Sequence, residues 1–358
     1  MDALADLAVG DGNRPEDLAT TVAHLACFSP ANSAWRALDR IARGNPSVTE
    51  SGVWMAAITL ANGLRSLFNR PESIQLLDGL YPDAGPYWRA VLQYCADGNL
   101  QSMLDEYVYQ LAAEAPGELD DAGLDQLAQE SAAAMSLRKT NYRAFDPSNP
   151  DTHLNLGASF ALRYGSRAGS PGEGSMRPSD VRKAFNSPFW PFVLVSTSVG
   201  QEGIDFHHWS HSLVHWNVPA NPVDFEQREG RVDRFRGHAV RKNIAQALGA
   251  QIFRSPTEHP WDAAYRLAGE ARDQLDGLSP DWLFDGPAKI ERTLFQFPFS
   301  RDVASLQQIK LDLARYRLAF GQSRQEDFLA LLRDQDGEPF SHRIELRAPI
   351  TTTTGGRR

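Results

Sequence analysis

Cysteine is nearly missing from this chain: Cys27 and Cys95 are the only two in 358 residues. Two thiols are too few for a disulfide scaffold or a thiolate metal site, and they point to a reducing compartment. No apolar run approaches the roughly 18 residues needed to span a bilayer. The opening MDALADLAVG carries acid where a secretory leader carries base. A soluble, cytoplasmic protein with no membrane partner is therefore expected. Basic charge is also short, with 36 Lys and Arg against 45 Asp and Glu and a net charge of −9. That balance excludes a protein that coats DNA without regard to sequence, so nucleic-acid contact must come from a local patch. The phosphate-cradling pattern G-x-x-x-x-G-K-[ST] occurs nowhere, and neither does H-E-x-x-H.

What is present is ordinary globular composition, 42% apolar and 23% charged, in a chain long enough for two or three compact units. Residues 1–140 read as a helical accessory region. Apolar residues recur at three- and four-residue spacing over 18–28, 34–42, 53–68, 87–95 and 100–113, with Gly44, Pro46, Pro71, Pro82 and Pro116 as punctuation. Trp35, Trp54, Tyr87 and Trp88 fall at helical spacing and read as core and helix-contact residues. The sequence changes character over 141–190. A strand is expected at 154–164, a Gly/Ser/Pro-rich loop at 166–179, and a short helix over 179–185 with Ser179 as its N-cap. Arg177, Arg182 and Lys183 give that helix a basic start, read as a solvated face with phosphate contact as the alternative.

The chain is organised around 189–238, FWPFVLVSTSVGQEGIDFHHWSHSLVHWNVPANPVDFEQREGRVDRFRGH. Two short apolar runs, 192–195 and 212–216, are each closed by polar turn residues and read as neighbouring parallel strands. Asn221 as N-cap and Pro222 at the first position then predict a helix over 222–234. On one helix Arg231 and Arg234 would share a face with Gln227, while Arg228 also lies three residues before Arg231. Spacing alone does not choose among these arginines. His207, His208, His211 and His215 crowd the turn and second strand. Their spacing matches no metal-ligand pattern, so they read as polar residues at sheet ends, and no metal is expected.

The stretch VSTSVGQEGID resembles motif V of superfamily two helicases and translocases, and QREGRVDR resembles their motif VI, Q-x-x-G-R-x-x-R. The strand and turn between them are similar to the second RecA-like lobe of Swi/Snf-type ATPases of the RapA-like branch, and to helicase-related proteins of bacterial defence loci. The close resemblance covers about residues 150–250. It implies an α/β fold, a RecA-like parallel-sheet lobe at 141–250, between the helical region before it and a second helical region at 251–345. The tail 346–358 is expected to be disordered. Helices are expected at 242–248, 260–275, 305–320 and 325–332, the third with a packing stripe of Leu306, Ile309, Leu313, Tyr316 and Phe320.

The resemblance also assigns roles. Arg231 and Arg234 match the arginine-finger positions, which stabilise charge spreading over the γ-phosphate in the transition state. Gln227 and Arg228 match the motif's opening pair, and Gly230 would let ligand approach. Gly203 and Asp205 would lie near the ribose or γ-phosphate at a lobe interface, while Thr197, Ser198 and Gly200 would meet the nucleic-acid backbone. The expected cofactors are ATP and Mg²⁺, both held mainly by a first lobe, since this chain has no D-E-x-[HD] box and motif IV is not recognisable. The expected partners are DNA or RNA, a first-lobe polypeptide or upstream segment, and other defence proteins. The chain would hydrolyse ATP only with that first lobe and be inactive alone. The alternative from another class is a non-catalytic docking or nucleic-acid-binding module of a bacterial defence complex.

Overall fold

The fold is described from a computed structural model over residues 17–136, 140–146, 148–158, 178–189, 192–195, 205–219, 221–254, 258–271, 281–295, 297 and 299–319. Seven helices come first: α1 (Leu18–Phe28), α2 (Pro30–Ala42), α3 (Glu50–Phe68), α4 (Pro71–Leu80), α5 (Tyr87–Ala96), α6 (Asn99–Glu114) and α7 (Asp121–Met135). Their starts are chemically marked. Ser29 caps α2 with Pro30 at the first position, Thr49 caps α3 through Gly52 N, and Asp120 caps α7 through Gly123 N. Asp121 fixes the entry to α3 by accepting from both Thr49 N and Thr49 Oγ1 at 2.7 Å.

Helix α3 lies against α2 and α7 and α2 against α6, and the core among these four helices holds Leu38, Leu60, Leu64, Leu100, Leu104, Val108, Leu124 and Met135. Gly63 permits the closest approach, because a Cβ there would meet Ala132 Cα at 2.8 Å. Of the four aromatics expected in this core, Trp35 stacks on Trp54 at 5.7 Å and the Tyr87 hydroxyl donates to Phe68 O. Trp54 and Trp88 are nonetheless 49% and 44% exposed.

A hairpin follows, β1 (Thr140–Asp146) antiparallel to β2 (Asn149–Ala158). The strand expected at 154–164 thus begins earlier and pairs locally; 159–164 lie outside the described residues. Helix α8 (Pro178–Phe185) starts at Pro178, which puts Ser179 inside the helix rather than at its cap. Beyond α8, Phe189 drops into the N-terminal core and meets Tyr107 edge-on at 5.5 Å.

The parallel pair differs from the sequence expectation. Strand β3 (Ser212–His215) forms, but its parallel partner is β4 (Glu291–Leu294), in register Ser212 with Glu291. Residues 192–195 are not in a strand, and Val193 and Val195 are 77% and 91% exposed. Among the described residues the sheets are two-stranded, so only part of a RecA-like sheet is present. The physical reason lies in β4: Glu-Arg-Thr-Leu is a mostly exposed edge strand, joined through backbone bonds, so it needs no apolar run to announce it.

Helix α9 (Pro222–Glu229), α10 (His238–Ile252), α11 (Pro260–Glu270) and α12 (Asp302–Ala319) complete the described chain. Val240, Ile244, Leu248 and Ile252 of α10 pack on Ala263, Ala264, Tyr265 and Ala268 of α11. Ile309 and Leu313, from the stripe expected on α12, close over Phe225 of α9. Phe320 and the helix expected at 325–332 lie outside the described residues, as does 346–358. No described helix is long and apolar enough to cross a membrane.

Candidate functional site

The arginines of interest sit where β3, α9 and a following turn meet. Asn221 Oδ1 accepts from Val223 N at 2.9 Å, so the expected cap starts α9 where the sequence put it. Phe225 is buried, with His215 of β3 against it at 4.7 Å between ring centroids. Glu229, 5% exposed, is bonded to Arg292 of β4 and lies 4.0 Å from His215 Nε2. Burial, ahead of the Arg228 and Arg292 charges and against the pull of Glu229, lowers the His215 pKa to about 4.

The helix stops at Glu229, sooner than expected. Gly230 N–H bonds back to Glu226 O at 2.7 Å, and residues 230–236 turn. Arg231 and Arg234 therefore do not lie on the helix face of Gln227. Gly230 has φ −60, and a Cβ there would meet Glu226 O of its own helix at 3.0 Å. Its closest neighbour is thus the preceding turn, and it supplies the helix end. Gln227 is exposed. Arg228 turns toward the sheet, its Nη1 donating to Asn217 O at 3.1 Å.

The turn after α9 is docked by backbone bonds onto the segment 205–208. Phe206 N donates to Arg231 O at 2.8 Å, and His238 N donates to His207 O at 2.9 Å. Arg234 Nη2 pairs with Asp205 Oδ1 at 3.0 Å, with both side chains substantially exposed. Asp205 is itself held by Asn186, just past α8, whose Nδ2 donates to the Asp205 carbonyl at 2.7 Å. Asp205 and Arg234 thus share one surface region, while Arg231 is tied to it through its backbone carbonyl and its side chain is half-buried. An intramolecular carboxylate for Arg234 was not expected. Thr197, Ser198, Gly200 and Gly203 lie outside the described residues. Of the basic residues on α8, Arg182 is exposed and Lys183 pairs with Glu130 at 2.8 Å.

Beneath this surface lies the most buried arginine of the chain's described part. Arg241, in the first turn of α10, is 0% exposed. Its Nε donates to Glu106 Oε1 of α6 at 2.8 Å, Nη1 to Arg236 O at 2.6 Å, and Nη2 to His208 O. The Trp209 ring lies 5.6 Å from its guanidinium carbon. Nothing in the sequence marks Arg241, because its partners are two distant backbone carbonyls and one glutamate.

The histidines do not act as one group. His211 Nδ1 and His238 Nδ1 lie 3.0 Å apart, so one carries the proton the other accepts. The His207 and His208 rings lie tilted against each other, centroids 4.0 Å apart, beside Glu114. Burial, then the adjacent His208, lowers the His207 pKa to about 4, so its imidazole is neutral near pH 7.

Comparison with known families places one match on this region. The helicase conserved C-terminal domain matches residues 173–236, from just before α8 through the arginine turn. That span contains Asp205, Gln227, Arg228, Gly230, Arg231 and Arg234. Residues 173–236 are therefore similar to the C-terminal domain of helicases. No curated protein and no solved structure matches the chain.

Proposed function

We infer that this chain acts as the C-terminal part of an ATP-dependent nucleic-acid helicase or translocase. Arg231 and Arg234 would serve as arginine fingers at an ATP site completed by a first lobe that holds the phosphates and Mg²⁺. The first lobe would come from another polypeptide or an upstream segment. Within this reading the chain is of the Swi/Snf-type, RapA-like kind and works beside other proteins of a bacterial defence system. The observation that carries the reading is the helicase C-terminal match over 173–236, which spans both arginines. The exposure of Arg234 beside Asp205, in the turn that Arg231 enters, supports it, because fingers must reach a phosphate from outside their own domain.

The test is reconstitution with a polypeptide carrying a Walker-type first lobe, followed by nucleic-acid-stimulated ATP hydrolysis. Arg231→Ala and Arg234→Ala should each lower turnover by about 10³ or more with ATP affinity nearly unchanged, because a finger acts on the transition state. Arg228→Ala should do less, since Arg228 points to Asn217. The chain alone should not turn ATP over. A docking-module reading draws on the two-stranded sheet and on the pairing of Arg234 with Asp205. Turnover that stays within a few-fold of wild type in both finger variants would favour that module.

A further inference from the structure

Glu114 is the last residue of α6, and His207 and His208 stand in the turn that precedes β3. The three come together although His208 and Glu114 are 94 residues apart in sequence. Each offers one ligand atom, and those atoms all lie within 4.8 Å of one another. His208 Nε2 is 2.8 Å from Glu114 Oε1, and the two imidazoles pack with centroids 4.0 Å apart. His207 and His208 are only 8% and 6% exposed, yet the Nδ1 atom of each is buried with no hydrogen-bond partner. Two neighbouring buried ring nitrogens in that state are uncommon, because a buried polar atom left without a partner costs on the order of 1–3 kcal/mol.

We propose that Glu114, His207 and His208 form a binding site for a divalent cation of zinc's ligand preference, clipping α6 to the turn that carries Asp205. Two imidazoles and one carboxylate are a donor set that zinc accepts, with a fourth position left for water or another ligand. Bond lengths of about 2.0–2.2 Å place tetrahedral donors about 3.3 Å apart, so ligand atoms up to 4.8 Å apart close by up to about 1.5 Å while the 2.8 Å Glu114–His208 pair opens slightly. Side-chain torsion of Glu114, which is 55% exposed, can supply that movement. The fourth position has somewhere to face. A cleft of about 220 Å³ borders the site, lined by Glu114, His208, Asn186, Arg182 and Lys183 among others. A cation there would hold the backbone whose carbonyls accept from His238 N and Arg241, and so the floor of the arginine turn.

The test uses the full chain after exhaustive chelation and dialysis. Zinc(II) is titrated by calorimetry, cobalt(II) is followed by its visible absorption, and melting temperature is recorded with and without metal. We expect one tight equivalent per chain, a cobalt spectrum of a nitrogen- and oxygen-ligated tetrahedral ion, and a raised melting temperature. Glu114→Gln should weaken binding by more than about 10-fold, the range in which even supporting residues of metal sites act. That variant alters an exposed side chain, so circular dichroism of the apo protein should be unchanged. His207→Gln and His208→Gln should abolish the cobalt bands. Cys27→Ser, which removes the exposed thiol, should leave uptake unchanged. The proposal is overturned if the chelated chain takes up no metal, or if uptake survives Glu114→Gln at full affinity. Uptake lost in Cys27→Ser would overturn it equally.

Discussion

Replacing Arg241 with methionine should be among the most destabilising single changes available in this chain. The guanidinium is fully buried and makes three bonds: to the Glu106 carboxylate at 2.8 Å, to Arg236 O at 2.6 Å, and to His208 O. Hydrogen bonds to a charged group contribute roughly 1.5–3 kcal/mol each. Methionine would fill similar volume and relieve the cost of burying the charge, so the bonds do not simply add. Two carbonyls and a carboxylate would lose their donor, however, and breaking a buried pair from one side costs about 3–5 kcal/mol. Glu106 is 20% exposed and can regain some water, which favours the lower half of that range.

Urea unfolding followed by far-ultraviolet circular dichroism measures this, with the midpoint falling and the slope unchanged. Arg241→Lys should lie between wild type and Arg241→Met, since one ammonium cannot span three acceptors in the guanidinium's planar spread. Adding Glu106→Gln to Arg241→Met should recover part of the loss, because the stranded carboxylate goes with it. Arg266, whose partners Glu258 and Glu270 are on the surface, is the control, and Arg266→Ala should leave the midpoint nearly unchanged, because exposed ion pairs are screened by solvent. A loss under about 1 kcal/mol for Arg241→Met would refute the claim that this side chain joins α6, α10 and the two turns.

Acid should weaken the fold through histidines buried neutral. Burial lowers His215 and His259 to about 4, with Glu229 and Asp262 pulling the other way and Arg228, Arg292, Arg40 and Arg43 adding to the shift. The unfolded chain then binds more protons between about pH 6.5 and 4, so their stabilisation is whole above pH 6.5 and lost as pH falls toward 4. By pH 5 the loss is about 2 kcal/mol for each; urea midpoints at pH 7.5 and 5 read it, and His215→Gln should shrink the difference by its share while that of His259 remains. A midpoint that does not move with pH would contradict this. Gly63→Ala tests the α3–α7 contact: the better helix former gains about 1 kcal/mol, but a Cβ 2.8 Å from Ala132 Cα should outweigh that by forcing two backbones apart. A net loss of about 1–2 kcal/mol in thermal or urea unfolding is expected, and a stabilised variant would show that the helices are not in close contact.

Much of the helical layer was legible because periodicity and punctuation are local. The five expected N-terminal helices form with ends near those expected, and α9 begins at the Asn-Pro pair that announced it. Helix α4 was missed because it buries only Leu77, so its stripe is thin. Helix α7 was missed because alanines and Gly123 blur its periodicity. The sheet was less legible: β4 is four mostly exposed residues, and 192–195 has the composition of a buried strand without being one. The stretch that resembles motif VI runs through the turn, but a helix drawn through Arg234 ignored the Gly230 stop. The crowding of His207 and His208 was legible, but neither Glu114 beside them nor the Arg241 network had a sequence signal, since each joins α6 to residues roughly a hundred or more positions away.

The pairing of Arg234 with Asp205 does not by itself disable a finger. Both side chains are exposed, 45% and 37%, and an ion pair in that setting contributes about 0–1 kcal/mol. A phosphoryl group offers the guanidinium more charge and two oxygens in bidentate geometry, so it competes well for the same donor. What such an arginine needs is a fixed backbone, because a misplacement of about 1 Å costs on the order of a hundredfold in rate. The structure supplies that fixing from below. Phe206 and His238 bond the arginine turn to the 205–208 segment, Arg241 grips His208 O and Arg236 O, and Glu106 and Glu114 of α6 hold Arg241 and His208 in turn. The N-terminal helical layer thereby sets the position of Arg231 and Arg234 through α6, although α6 lies outside the stretch matched to the helicase C-terminal domain.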